Sequence, residues 1–141
     1  MCCANAVPME KPLVVVLDHN SRLLQQADLV LRLEEFRTIC GSIGDGTEQL
    51  VRDEQPALVI IDVWLEDRLA GWRLFQALQA DGATARIPVV LTSEDPQRVE
   101  RECGLKRSDG RAVVVKKPYD WDLLMGVVQG LLKPDRTANE A

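Results

Sequence analysis

Basic residues are in short supply in this chain of 141 residues: 17 Lys and Arg stand against 22 Asp and Glu, for a net charge of −5. A chain with that balance carries no electrostatic footprint for nucleic acid or for an anionic membrane surface. That argues against DNA as a direct partner and leaves room for a role upstream of a DNA-binding protein. No apolar run is long enough to span a bilayer, and no apolar segment precedes Cys2, so neither a membrane span nor a secretory or lipoprotein start is expected. The four cysteines (Cys2, Cys3, Cys40 and Cys103) lack the spacing of a metal knuckle. Cys40 and Cys103 read as small apolar residues in a reducing cytoplasm, and Cys2 and Cys3 as incidental thiols. Aromatic residues make up 4% of the chain, and Trp64, Trp72 and Trp121 stand singly at the ends of expected elements, where packing explains them better than base stacking. Histidine occurs once, as His19.

What is present is an ordinary globular mix, 46% hydrophobic and 28% charged, at a length that suits one domain. Residues 1–10 and the polar tail 134–141 are expected to be disordered and flexible around a domain at 11–133. Three apolar runs, "LVVVL" at 13–17, "ALVIID" at 57–62 and "IPVVLTS" at 87–93, are rich in β-branched residues and too short for buried helices. Their continuous apolarity suits central strands of a parallel sheet covered on both faces. "RAVVVKKP" at 111–118 is similar, and "FRTICGSI" at 36–43 reads as an edge strand.

Segments of helical period lie between them. Ser21 is placed to cap a helix at about 22–34 whose inner face carries Leu23, Ala27, Val30 and Leu31. Pro56 closes a short helix, Leu74, Phe75 and Leu78 mark another, Ser93 or Asp95 caps a fourth with Pro96 in its first turn, and Asp120 starts the last. The β-α order, five times over, predicts a doubly wound α/β fold: a five-stranded parallel sheet with helices on both faces.

Such a sheet carries its site at the carboxyl ends of the central strands. Asp18 and His19 follow the first strand, Asp62 the third, Thr92 the fourth, and Lys117-Pro118 the fifth. Two converging carboxylates repel unless a cation sits between them, and Asp18 and Asp62 are oxygen donors of the kind Mg²⁺ takes. A lysine opposite them suits an incoming phosphoryl group, and a threonine hydroxyl can donate to one of its oxygens. Asp62 is then a candidate nucleophile for an aspartyl phosphate, with metal and lysine offsetting the repulsion. At an effective dielectric near 20, one such charge pair at about 4 Å is worth roughly 4 kcal/mol.

"KPLVVVLDHN", "DGTEQLVRDEQPALVIID", "IPVVLTS" and "KKPYDWDLL" occur in that order, with 30 residues from Asp62 to Thr92. Together they resemble the receiver domain of bacterial two-component response regulators, over the chain from about Lys11 to Leu132. The resemblance implies a flavodoxin-like strand order 2-1-3-4-5. It also implies Asp62 as phosphoacceptor, Thr92 as switch hydroxyl, Lys117 as phosphate-binding lysine and Asp18 as a metal-site acid, with the Trp64 backbone carbonyl on the metal.

The chain departs from the family in several places. Receivers carry two adjacent acids where "DHN" stands. If Asp18 takes the first place, His19 replaces the acid that touches Mg²⁺; if it takes the second, Leu17 replaces the first acid. The first register turns Leu23, Ala27, Val30 and Leu31 inward, the second Arg22, Gln25 and Gln26. Either way one carboxylate is missing, which lowers the expected Mg²⁺ affinity and makes His19 a candidate ligand that favours Mn²⁺. Glu66 replaces a common proline, the following glycine comes one residue late, Val114 stands where an aromatic switch residue is usual, and the segment before the last strand is about three residues long in excess.

The reading is a stand-alone, cytoplasmic receiver and not an enzyme acting on an external substrate. A sensor histidine kinase or phosphotransfer protein donates to Asp62, and a downstream protein partner reads the result. The alternative is a degenerate receiver that works as a phosphorylation-independent interaction or dimerisation module. An enzyme of flavodoxin-like or phosphohydrolase type is disfavoured, because no glycine-rich phosphate loop follows the first strand and no second general acid accompanies Asp62. Trp121, Leu123, Leu124, Met125, Val127, Val128, Leu131 and Leu132 cover more than one face of the last helix, a surplus that points to a partner or a homodimer contact.

Overall fold

The computed structural model describes residues 10–66, 68–104, 108–109 and 112–133. The expected disorder of the first ten residues and of the tail 134–141 falls, Glu10 apart, outside them, as do Cys2 and Cys3. The elements in chain order are β1 (Leu13–Leu17), α1 (Ser21–Leu33), β2 (Arg37–Gly41), α2 (Thr47–Glu54), β3 (Leu58–Asp62), α3 (Ala70–Ala80), β4 (Val89–Ser93), α4 (Pro96–Cys103), β5 (Ser108–Asp109), β6 (Ala112–Lys116) and α5 (Trp121–Leu132). The sheet order is β2-β1-β3-β4-β6-β5. The five parallel strands alone follow the expected 2-1-3-4-5. The segment that the sequence shows as an insertion contributes β5, two residues paired antiparallel to the start of β6.

β1, β3 and β4 are buried along their whole length because both faces are covered. Alternate strand residues point to opposite sides. Val15, Leu17, Val59, Ile61, Val89, Leu91, Ala112 and Val114 pack with Val51 of α2, Leu74, Phe75 and Leu78 of α3 and Val99 of α4. Val14, Val16, Leu58, Ile60, Val90 and Val115 pack on the other side with Ala27 and Leu31 of α1 and Leu124, Met125 and Val128 of α5. Uninterrupted apolar runs are therefore the pattern this sheet requires.

Helix starts follow local chemistry. α1 begins one residue earlier than Ser21 suggests: Asn20 is the cap, extended at φ −91°, and its side chain accepts from the Arg22 and Leu23 N–H groups. Two cap-competent residues stand side by side here, and the first wins because Ser21 is already helical. At α4 both candidates contribute: Asp95 caps by accepting from the Arg98 N–H, and Ser93 Oγ accepts from the Asp95 N–H at 3.0 Å. On α1, Ala27 and Leu31 are buried while Arg22, Gln25 and Gln26 are exposed, the face on which the first register at Asp18 depends.

Two readings change. Cys40 lies exposed on edge strand β2 and does not pack as an apolar residue, while Cys103 is half-buried. The apolar surplus of α5 is mostly consumed by the core: Trp121, Val127, Leu131 and Leu132 pack against the cluster that buries Leu124, Met125 and Val128, and Leu123 alone of the eight is exposed.

Gly71 fixes how closely α3 approaches the end of β3. Its N–H donates to the Val63 carbonyl at 3.1 Å. A Cβ at this position would stand 1.8 Å from the carbonyl oxygen of Asp62 and 2.7 Å from its carbonyl carbon. The atoms in the way are backbone, so no rotamer change relieves the clash. Gly71→Ala gains helix propensity of at most about 1 kcal/mol, which the overpacking outweighs. We expect a net loss of about 2 kcal/mol, read as a drop of several degrees in thermal unfolding.

Candidate functional site

β1 and β3 pair as Val16 with Ile60 and Leu17 with Ile61, so Asp18 and Asp62 fall side by side one step later. Asp62 pairs with Thr92 across β3 and β4. Lys117 directly follows β6, and its N–H donates to the Ser93 carbonyl at 2.9 Å. Asp18, Asp62, Thr92 and Lys117 share the parity of Val16, Ile60, Val90 and Val115, so all four project toward the α1 and α5 side. Parallel register thus brings together four residues spread over a hundred positions of sequence.

The contacts are specific. Lys117 Nζ donates to Asp18 Oδ2 at 3.0 Å and to Asp62 Oδ2 at 3.1 Å, with all three side chains buried. Asp18 Oδ1 accepts from the Asn20 N–H at 2.9 Å, and Asp62 Oδ1 from the Trp64 N–H at 3.3 Å. His19 is half-exposed at the rim, with Nδ1 3.3 Å from Asp62 Oδ2 and 3.6 Å from Asp18 Oδ1. Leu17 points into the opposite apolar cluster, so Asp18 is the acid that meets the lysine and His19 the residue beside the two carboxylates. Thr92 is buried, its hydroxyl donating over a long 3.5 Å to the Ile61 carbonyl. Val114 lies on the far side of the sheet.

Two buried carboxylates facing one ammonium leave one negative charge in excess. Burial raises the Asp62 pKa, and the charge of Asp18 adds to the rise, against the pull of Lys117. For Lys117, burial works to lower the pKa, but the hydrogen bond to Asp18 and the charges of both carboxylates outweigh it, and the net direction is up. Asp18, His19 and Asp62 each offer a ligand atom within 4.8 Å of the others, so the donor set fits a divalent cation that would remove the excess charge.

The site opens into a cleft of about 320 Å³ whose lining includes His19, Asp62, Lys117, Trp64, Ser93 and Arg98. The Arg98 guanidinium stacks over the Trp64 ring at 3.9 Å and also donates to Glu102 at 2.6 Å. Leu65 and Arg68 exchange backbone hydrogen bonds beside it, with Glu66 left-handed at φ 53°. A proline, fixed near −65°, does not fit that geometry, which accounts for its absence at position 66. Sequence reasoning missed the Arg98–Trp64 stack, the role of Gly71, and Tyr119, whose ring packs behind the Lys-Pro turn. Their signals were a late glycine and an aromatic directly after the turn.

No protein-family model matches the chain. The DNA-binding response regulator MtrA of Mycobacterium tuberculosis is 30% identical over 122 residues, 85% of this chain and 50% of that protein. The chain therefore spans about half the length of the curated relatives it first matches. Protein PilH of Pseudomonas aeruginosa is 30% identical over 89 residues, 63% of this chain and 70% of PilH. The chain belongs to the response regulator receiver family. The solved receiver domain of a P. aeruginosa PAO1 sensor histidine kinase, which has a magnesium ion coordinated in its active-site cleft, shares the fold: TM-score 0.71 at 15% identity, covering 86% of this chain and 98% of that one. Among the described residues of this receiver no helix is long and apolar enough to cross a membrane.

The raised Asp62 pKa means that ionising this carboxyl is harder in the folded receiver than in the unfolded chain, so its charge costs stability at neutral pH when no divalent ion is bound. Asp62→Asn keeps the shape and removes the charge, while Lys117 retains Asp18. We expect this variant to melt higher than the parent at pH 7 in chelator, by on the order of 1 kcal/mol, with the advantage reduced when Mg²⁺ is added. A lower melting temperature in chelator would show that Lys117 needs both carboxylates.

Proposed function

We propose that this receiver is a phosphorylation switch that takes a phosphoryl group on Asp62 from a histidine kinase or phosphotransfer protein and signals by protein–protein contact. The observation that carries the reading is the buried Lys117 ammonium shared by Asp18 and Asp62 at the floor of an open cleft. A surface ion pair would be commonplace; a buried lysine between two carboxylates costs desolvation that structure alone does not require.

In the transfer, an Asp62 carboxylate oxygen forms the new O–P bond as the P–N bond of the phosphohistidine donor breaks, and its electron pair leaves with the imidazole. Lys117 faces the oxygen where negative charge gathers. Thr92, paired with Asp62 across the sheet, donates its hydroxyl to a phosphoryl oxygen. Asp18 and Asp62, with His19 as a further donor and the Trp64 backbone carbonyl, would hold Mg²⁺, which supplies positive charge against the repulsion between carboxylate and phosphate. An imidazole in place of a carboxylate weakens the hold on Mg²⁺ and tilts the site toward Mn²⁺. The net charge of −5 gives this receiver no basic footprint of its own for nucleic acid, which supports protein contact as its way of signalling.

One observation favours a second reading, a phosphorylation-independent interaction module. His19 already lies within 3.6 Å of both carboxylates, in the space a cation would share. Intact mass after incubation with acetyl phosphate, in Mg²⁺ and separately in Mn²⁺, decides between them. We expect one phosphoryl adduct that requires metal and disappears in Asp62→Asn, formed more readily with Mn²⁺ at limiting metal. A folded protein with no adduct under either ion would establish the second reading.

A further inference from the structure

Tyr119 follows the Lys117-Pro118 turn and leads into α5. Its ring packs against the cluster between the sheet, α1 and α5 and meets Trp121 edge-on, centroids 5.1 Å apart at 71°. The hydroxyl is less comfortable. Among the described residues, Tyr119 Oη is the buried side-chain polar atom with no hydrogen-bond partner. It lies near the Thr92 hydroxyl and within the field of Asp18 and Asp62; burial, against the pull of Thr92 and with the two carboxylate charges adding to it, pushes the phenol pKa up and keeps the group an O–H donor.

A buried phenol with nothing to donate to is a cost that phenylalanine would not carry. Packing alone therefore does not explain the hydroxyl. Its neighbour is also under-used, since Thr92 Oγ1 has only the 3.5 Å contact to the Ile61 carbonyl. A hydroxyl has one proton to give and two lone pairs to accept with. When the Thr92 proton turns toward an oxyanion on Asp62, the lone pairs on Oγ1 turn with it, and one of them can meet the Tyr119 O–H. The two bonds then run in series, from Tyr119 to Thr92 to the oxyanion, and each polarises the other.

We propose that Tyr119 is a positioning residue of the occupied site: its hydroxyl donates to Thr92 Oγ1 once Thr92 donates to a phosphoryl group on Asp62, so that α5 senses occupancy directly. This rests on the phosphoacceptor reading of Asp62. The face matters. Thr92 projects to the side of the sheet that α1 and α5 cover, whereas Val114 belongs to the side covered by α2, α3 and α4. Trp121, in the first turn of α5 and against the Tyr119 ring, is the first residue of that helix to feel a shift.

The test uses the full chain, its Tyr119→Phe variant, and beryllofluoride as the phosphoryl probe with whichever of Mg²⁺ and Mn²⁺ supports binding to the parent. Two quantities are read: the thermal midpoint without ligand, and the affinity for beryllofluoride by titration calorimetry. We expect the variant to melt no lower than the parent when unliganded, because an orphaned hydroxyl is gone, and to bind the probe roughly 3- to 10-fold more weakly. Equal affinity would overturn the proposal. So would a lower unliganded midpoint, which would mean that the hydroxyl is already partnered at rest. Parent protein that binds no beryllofluoride with either ion would overturn the phosphoacceptor reading and the proposal with it, an outcome distinct from equal binding by both proteins.

Discussion

The repulsion between two carboxylates at the carboxyl edge of the sheet is the constraint around which this receiver is arranged. β1 and β3 are neighbours in parallel register, and both end on aspartate. Neither charge could be tolerated there without a cation, and Lys117 is delivered by a strand that does not touch either of theirs. The ammonium meets one excess negative charge and satisfies only part of the carboxylate oxygens. What remains is a site that is held together at rest yet still electrostatically incomplete, which is the condition for a metal or a phosphoryl group to change its energy.

The rest of the fold serves that edge. Apolar side chains cover both faces of β1, β3 and β4, and a one-residue slip of either β1 or β3 would carry its aspartate away from the edge where Lys117 meets both carboxylates. Gly71 lets α3 sit directly against the Asp62 carbonyl, so helix packing and the placement of Asp62 are set by the same contact. Asn20 caps α1 with its side chain while its N–H holds Asp18. In "DHN" the aspartate and asparagine thus divide structural and electrostatic duties, and His19 between them is the residue left facing the cleft.

Which residues meet at this edge was largely legible in the sequence alone. Asp18, Asp62, Thr92 and Lys117 each follow an apolar run, and strands of a parallel sheet deliver their final residues to one edge. The face of α1 separated two possible registers at Asp18, because only one of them turns leucines inward. The misreadings were local. Asn20 and Ser21 are both good caps, and sequence gave no reason to prefer the first. Helical period also counts the apolar residues of α5 without showing how much of each face the core absorbs.

The order of elements, the parallel sheet and the identity of the edge residues were determined by sequence, since they depend on hydrophobic period and on where each run stops. Only the tertiary structure decided that Lys117 binds both carboxylates, that Gly71 abuts the Asp62 backbone, that Arg98 stacks on Trp64, and that the Tyr119 hydroxyl lies unpartnered beside Thr92. Each of these joins residues from different elements. Such distances are fixed by how helices and strands pack, and no local pattern in the chain encodes them.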